Sequence, residues 1–305
     1  MIHWLCVFLV FSGCIFGGIE QYFKKAEGKT ALPTMTNIDY IYLLNLDKRP
    51  EKYQSSVEQL KPYGINPYRF SAINGWEDLS LQDLNQLGVT LEPGMAQGNW
   101  GTCYLPDGDG KPYHEIVNHI GRNYFCHCMS MGAIACALSH LSILQDAYDS
   151  GYETIWVMED DIEVLRNPHE LSNLINLLDR EVGRKKWDVL YTDTDTKNQK
   201  GEHVACTGFA WRPNYTPPDP TIFAARSKVG KYFKRVGARY GTYSMIIRRS
   251  GMKKILDFMK QHKIFLPIDM DLIFSPGIRL YTVVDDVVST LSIAPSDNGA
   301  PNYGN

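Results

Sequence analysis

Three consecutive carboxylates, Glu159, Asp160 and Asp161, follow the apolar run Thr154 to Met158. Carboxylates held this close repel one another and raise each other's pKa, and desolvation at the end of a strand strengthens both effects. A divalent cation would relieve the repulsion, and hard ions such as Mg²⁺ or Mn²⁺ prefer carboxylate oxygens as ligands. The triplet therefore indicates a metal site, although a solvated turn after a strand would also use these residue types.

Polar residues also follow two other apolar runs. Asn45 and Asp47 come at the end of the run 38–46, and Asp193 and Asp195 follow a later one. In an open α/β sheet, ligands bind outside the carboxyl ends of the strands. We therefore expect these side chains and the carboxylate triplet to meet at one edge of a sheet.

The hydrophobic pattern predicts the elements that position these residues. Strands are predicted over 38–46, 68–73, 154–158, 187–192 and 243–247, and helices over 50–63, 131–148, 171–178 and 250–261. This βαβαβ alternation predicts an α/β fold with a mostly parallel sheet covered by helices. The intervening segment 76–128 is rich in Gly, Pro and Asp, and it is predicted to be a long inserted loop.

The N-terminus is predicted to be a targeting segment. Residues 2–19 (IHWLCVFLVFSGCIFGGI) carry no formal charge and have about the length of a membrane-spanning helix. Residues 1–19 are therefore expected to be a signal peptide or a membrane anchor, with a buried helix of the domain as the alternative. Small residues at 12–14 favour cleavage or lipidation, whereas Lys24 and Lys25 would hold the following domain in the cytosol. A membrane-associated or secretory-pathway protein is expected, at the cytoplasmic face of the inner membrane if it is bacterial.

The remaining boundaries follow from these elements. Residues 20–36 are predicted to be a linker, 37–295 a single domain and 296–305 a C-terminal tail. The 305 residues carry a formal net charge of −3 and are 44% apolar, which is typical of a globular protein. This balance offers no electrostatic footprint for nucleic acid, so nucleic acid is not an expected partner.

Two enzyme classes fit carboxylates at strand ends. The sequence DTDT (Asp193 to Thr196) imitates the DxDxT motif of aspartate-nucleophile phosphatases, but in those enzymes the motif lies on the first strand. The other class is a sugar transferase, in which a metal neutralises the departing nucleotide diphosphate and a carboxylate takes the proton of the acceptor.

Six segments carry a resemblance to a known family. In order, IYLLNLDKRPEK, GAIACALSHLSIL, WVMEDDIEV, WDVLYT, YSMIIRRSGMKKIL and LPIDMDL resemble the blocks of glycosyltransferase family 25. This family includes bacterial lipooligosaccharide galactosyltransferases and procollagen galactosyltransferases. The resemblance covers about residues 38–295 apart from the segment 76–128, and Ala135 stands where the family often has Gly.

The resemblance implies a glycosyltransferase-A type catalytic domain with a Rossmann-like mixed, mostly parallel sheet. It implies Mn²⁺ or Mg²⁺ and inverting transfer of galactose or glucose from a UDP-sugar. The acceptor would be a hydroxyl of a saccharide, a lipooligosaccharide or a hydroxylysine-type glycoprotein. An inactive sugar-binding module of the same fold is the alternative, and a phosphatase is a further one.

The resemblance also implies roles for the donor-site residues. The triplet looks like a DxD-type motif: Asp161 binds the metal, Glu159 binds it through water or contacts the ribose, and Asp160 supports either. The nucleotide pocket is implied to contain Asn45, Asp47 and Arg49, for which helix capping and a surface ion pair are the alternative roles. His140 is expected at the pocket wall or as a core histidine.

The catalytic base is expected in PIDMD, residues 267–271, because this segment resembles the family's P-x-D block. Asp269 is the first candidate. Asp271, Asp193 and Asp195 are the alternatives.

Overall fold

The computed structural model describes residues 18–30, 35–291 and 296–299. The helices are α1 (Pro50–Leu60), α2 (Leu81–Leu87), α3 (Met131–Asp149), α4 (Glu170–Val182), α5 (Arg249–His262) and the short α6 (Ile268–Asp271). The first eight strands are β1 (Tyr40–Asn45), β2 (Tyr68–Ser71), β3 (Val89–Thr90), β4 (Trp100–Cys103), β5 (Tyr113–Ile116), β6 (Asn123–Cys126), β7 (Thr154–Glu159) and β8 (Ile162–Val164). The others are β9 (Val189–Tyr191), β10 (Thr196–Lys197), β11 (His203–Val204), β12 (Arg226–Val229), β13 (Phe233–Val236), β14 (Ser244–Arg248), β15 (Leu280–Val283) and β16 (Val288–Thr290).

An eight-stranded mixed sheet lies at the centre, in the order β12-β13-β15-β9-β14-β7-β1-β2. Six of its strands point the same way, and β13 and β14 run against them. The prediction of a mixed, mostly parallel sheet flanked by helices is confirmed. Because β14 is antiparallel to both β7 and β9, its first residues lie at the same edge as the last residues of its two neighbours.

Both faces of the sheet are covered by helices, and successive side chains of β1 belong alternately to the two cores. Tyr42 and Leu44 belong to the core that contains α3, whereas Ile41 and Leu43 belong to the opposite core, beneath α1 and α4. Successive strand side chains point to opposite faces, so a strand buried on both faces has a continuous apolar sequence. The predicted strands and helices on either side of the segment 76–128 all form, with small differences at their ends.

The segment 76–128 is not the long loop predicted from its composition. It contains α2 and a four-stranded antiparallel sheet in the order β3-β6-β4-β5, and Tyr104, Tyr124 and Phe125 from this segment are buried in the main core. Its strands have only two to four residues, too few for a clear period-2 pattern. Gly101 also serves packing here, since a Cβ atom at this position would lie 2.6 Å from the side chain of Val117.

The described part of the predicted linker 20–36 packs against the domain. Tyr22 and Phe23 pack against the main core, the backbone N–H of Lys24 donates to Ser142 Oγ, and Lys29 binds Asp146. Most of the predicted signal peptide or anchor, residues 1–17, lies outside the described residues. Within the described ranges, no helix is both long enough and apolar enough to cross a membrane.

Candidate functional site

A cleft lies at the sheet edge where β1 and β7 end. Its wall combines these strand ends with the loop after β2, the first turns of α1 and α3, and Ser296, Asp297 and Asn298. All three carboxylates of the triplet line this cleft. Asn45 meets the triplet in this cleft, whereas Asp47, Asp193 and Asp195, which were expected at the same place, do not line it.

Asp161 has a buried carboxylate oxygen that lacks a partner. Among the residues that the structure describes, no group hydrogen-bonds its Oδ1 atom. Burial, reinforced by the charges of Glu159 and Asp160, raises the pKa of Asp161 to about 7. A buried polar atom without a partner is costly, and a cation would satisfy it.

Asp160 is tied to the end of β1. Asn45 Nδ2 donates to Asp160 Oδ2 over 2.6 Å and to the backbone oxygen of Arg49 over 2.8 Å. The amide oxygen of Asn45 accepts two hydrogen bonds from Arg69. Burial raises the pKa of Asp160, although the hydrogen bond from Asn45 acts in the opposite direction. Asn45 thus fixes both the carboxylate and the turn that leads into α1.

Glu159 is held through one oxygen atom. His140 Nε2 lies 2.9 Å from its Oε1, and Thr242 Oγ1 donates to the same atom over 2.7 Å. Burial alone would raise the pKa of Glu159, but these two contacts bring it below the usual value. Both contacts use Oε1, so these side chains leave the Oε2 atom to other ligands. His140 is buried behind Glu159 as a positioning residue, which is the core-histidine alternative, and it is not among the residues that line the cleft.

A second cavity adjoins the cleft. The two share Cys136, Glu159 and Asn298 in their walls, and Asp269 lines only the second. Asp269 accepts hydrogen bonds from the backbone N–H groups of Gly241 and Met270, at 2.8 and 2.9 Å. Burial raises the pKa of Asp269 despite these two donors.

The other three candidates for the base are engaged in ion pairs. Asp271 is fully buried against Arg212 at 2.5 Å, and it also accepts the N–H groups of Phe265 and Leu266. It fixes the turn before α6, so the structure does not support Asp271 as the base.

Asp193 and Asp195 are likewise occupied. Asp193 is buried and pairs with Arg239, and it accepts hydrogen bonds from Tyr243 and Ser289. Asp195 receives two hydrogen bonds of 2.6 Å from Arg226. Asp193 and Asp195 therefore stabilise the structure at the end of β9. Because both carboxylates are paired with arginines, neither is available as a nucleophile or a base.

The structure separates the residues predicted for the nucleotide pocket, and Arg49, which pairs with Glu51 and Asp297, is not among the residues that line the cleft. Asn45 lines the cleft, but Asp47 has a side chain 66% exposed and faces Arg69 and Ser71 outside it. Two functional candidates were missed by the sequence interpretation. Lys52 lies in the first turn of α1 and lines the cleft, and Thr242 reaches the triplet because β14 is antiparallel. Lys52 belongs to the segment IYLLNLDKRPEK, which carries the family resemblance. The sequence around Thr242 contains no pattern that indicates a functional role.

The donor set suits a divalent cation. Asp161 Oδ1 lacks a partner, Glu159 keeps an oxygen for other ligands, and both line one cleft. These are hard carboxylate donors, the kind that Mg²⁺ and Mn²⁺ prefer. Cys136, His140 and Glu159 also have ligand atoms within 4.8 Å of one another, a mixed set that a softer ion would favour.

The mixed α/β sheet, with carboxylates at its carboxyl edge and two adjoining cavities, fits a glycosyltransferase-A type domain. A sequence model described as glycosyltransferase family 25 (LPS biosynthesis protein) matches residues 38–272. The chain belongs to glycosyltransferase family 25.

Curated relatives in animals share this family. A glycosyltransferase 25 family member of Drosophila pseudoobscura pseudoobscura is 23% identical over 258 residues, covering 83% of this chain and 33% of that protein. A glycosyltransferase 25 family member of Aedes aegypti is 25% identical over 234 residues, covering 76% and 30%. The inactive glycosyltransferase 25 family member 3 of Homo sapiens is 24% identical over 264 residues, covering 86% and 36%. The chain thus spans about a third of the length of these relatives.

Proposed function

We propose that this protein is a metal-dependent inverting glycosyltransferase that moves galactose or glucose from a UDP-sugar. The proposed acceptor is a hydroxyl of a saccharide, a lipooligosaccharide or a hydroxylysine-type glycoprotein. The observation that carries the proposal is the pair of cavities that meet at Glu159. One contains the carboxylate triplet and the other contains Asp269, as transfer between two substrates requires.

The cleft with the triplet is the proposed donor site. Asp161 and the Oε2 atom of Glu159 would hold Mn²⁺ or Mg²⁺, with Asp160 supporting them. The bound ion would neutralise the negative charge that develops on the departing diphosphate. His140 and Thr242 keep Glu159 ionised and in place.

Asp269 is the proposed base. In a single displacement, the acceptor oxygen bonds to the anomeric carbon as the bond from that carbon to the UDP oxygen breaks. The acceptor's proton passes to a carboxylate oxygen of Asp269. Its raised pKa suits this task, because a base is most effective when its pKa approaches the working pH.

An inactive sugar-binding module is the second candidate, since the human relative is named inactive. Presence of the triplet and Asp269 in adjoining cavities favours the enzyme. The structure does not favour a phosphatase, because the carboxylates of Asp193 and Asp195 both form ion pairs with arginines.

The test is nucleotide release by the purified full chain from a panel of UDP-, GDP- and CMP-sugars, with Mn²⁺ and with chelator. We expect release from one UDP-hexose that requires metal and is lost in Asp161→Asn. The control Asp257→Asn removes an exposed carboxylate on α5, and its activity should be unchanged. Absence of release across the panel would favour the binding module.

We also propose that residues 1–19 bring the domain to a membrane or into the secretory pathway. Fractionation of cells that express the chain with and without these residues tests this. Equal distribution of the two forms would contradict it.

A further inference from the structure

We propose that Arg49 and Lys52 form an anion subsite for the diphosphate of the sugar donor, and that the carboxylate of Asp297 competes for this subsite. The inference rests on the proposed function for the identity of the ligand. The anion subsite itself is argued from the contacts of these three residues.

Asp297 forms ion pairs with both Arg49 and Lys52, as a small anion would. Its Oδ1 atom pairs with Arg49 Nη1, and its Oδ2 atom pairs with Lys52 Nζ. The three side chains are 22% (Asp297), 26% (Arg49) and 12% (Lys52) exposed, so water screens these pairs only in part. Two oxygens that each bind one cation reproduce the way in which a phosphate group would bind them.

The subsite lies in the same cleft as the proposed metal ligands. Lys52, Asp160, Asp161 and Asp297 all line it. A diphosphate with one end at the proposed metal ligands therefore has Lys52 in the same cleft, and Arg49 borders the cleft through its pair with Asp297.

Charge explains why Asp297 competes with this ligand. With Asp297 in place, four carboxylates line the cleft, and the two cations that Asp297 binds are Lys52, which also lines it, and Arg49, which also pairs with Glu51 at 2.6 Å. A diphosphate cannot occupy the two cations while the carboxylate remains, because the two anions would repel at contact distance. Donor binding must therefore include the cost of moving Asp297 away.

The segment that carries Asp297 is held by backbone contacts that a single methyl group would disturb. The backbone oxygen of Asn298 accepts a hydrogen bond from Ser130 Oγ. A Cβ atom built on Gly132 would lie 2.6 Å from that same oxygen. Gly132→Ala should therefore push the segment away from the subsite without changing any charge.

The experiment measures dissociation constants by calorimetry for two probes on the purified full chain. Inorganic pyrophosphate without metal tests the anion subsite alone, and UDP with Mn²⁺ tests it together with the proposed metal ligands. Asp297→Asn should bind pyrophosphate about tenfold more tightly, because it keeps the shape of the side chain and removes its charge. Gly132→Ala should shift the constant in the same direction by a smaller factor.

Two further variants sharpen the result. Lys52→Met in the Asp297→Asn background should remove most of the gain, since it removes one of the two cations. Asp257→Asn takes the same charge from an exposed ion pair on α5 and should leave the constant unchanged. Pyrophosphate binding that is unchanged or weaker in Asp297→Asn would overturn the inference.

The binding and turnover experiments distinguish failure of the anion subsite from failure of the proposed transferase function. Tighter pyrophosphate binding in Asp297→Asn without turnover of any sugar nucleotide supports the anion subsite and contradicts the transferase. Metal-dependent turnover with an unchanged pyrophosphate constant in Asp297→Asn contradicts only the subsite.

Discussion

At the scale of single residues, the three adjacent carboxylates differ because their partners differ. Glu159 has His140 and Thr242, Asp160 has Asn45, and Asp161 Oδ1 has no partner among the described residues. The pKa of Glu159 is consequently lowered, while those of Asp160 and Asp161 are raised. Asp161 is the member of the triplet that gains most from a bound cation.

We predict that Asp161 contributes a loss of stability to the metal-free protein as the pH rises from about 4 to about 7. In this window Asp161 is ionised in the unfolded chain but protonated in the folded protein, so the free energy of unfolding falls with pH. Asp161→Asn should reduce this slope, and Asp257→Asn should not. Urea denaturation with chelator at several pH values measures how the free energy of unfolding changes with pH. An equal change in the wild type and in Asp161→Asn would contradict the prediction.

For the base, we predict that Asp269→Asn lowers kcat for nucleotide release about 10²- to 10⁴-fold, because an amide cannot accept the acceptor's proton. The KM for the donor should change little, since Asp269 lies in the adjoining cavity. The wild-type rate should fall on the acid side at a pH above the usual pKa of an aspartate, because burial raises the pKa of Asp269. A variant that keeps the wild-type kcat would exclude Asp269 as the base.

At the scale of elements, the reversed strand β14 decides which side chains reach the triplet. It lies between β7 and β9 and is antiparallel to both, so Thr242, just before it, meets Glu159 at the end of β7. The alternation of strands and helices predicted the mostly parallel sheet and the edge that gathers Asn45 and the triplet. It could not predict the direction of β14, because strand direction depends on distant pairing partners.

Burial explains the other errors at this scale. Asp193 and Asp271 look like solvent-exposed carboxylates after apolar segments, but each pairs with an arginine distant in sequence, Arg239 or Arg212. The small sheet within 76–128 was missed for a similar reason, since its aromatic residues pack against elements far along the chain.

The pair between Asp271 and Arg212 supplies a test that separates a structural carboxylate from a base. Asp271→Asn should lower the free energy of unfolding by about 3–5 kcal/mol, because it leaves a buried guanidinium without its counter-charge. Urea denaturation of this variant should show the loss, whereas Asp269→Asn should affect turnover far more than stability. A stable Asp271→Asn protein without turnover would restore Asp271 as a candidate base.

At the scale of the whole molecule, segments on both sides of the domain pack against it. Lys29 Nζ binds Asp146, Tyr42 and Ser150, and it lies over the ring of Tyr152 at 4.6 Å. At the other end, Asp297 enters the cleft. The contacts of Lys29 and Asp297 are made by polar side chains, which leave no hydrophobic pattern in the sequence.

We predict that Lys29→Met lowers the free energy of unfolding by about 1–3 kcal/mol, because Asp146 loses its counter-charge and the rings lose a cation. Donor binding should be unchanged, since Lys29 is not among the residues that line the cleft. Denaturant titration and UDP binding measure the two effects. Wild-type stability in this variant would show that the segment contributes little to the fold.

The most direct test of the central claim is the binding of UDP to the full chain, measured by calorimetry with Mn²⁺ and with chelator. The account predicts that UDP binds with Mn²⁺, that chelator weakens binding at least about tenfold, and that Asp161→Asn removes the difference between the two conditions. UDP affinity that is equal with Mn²⁺ and with chelator in the wild type would contradict a metal-dependent donor site at Glu159 to Asp161.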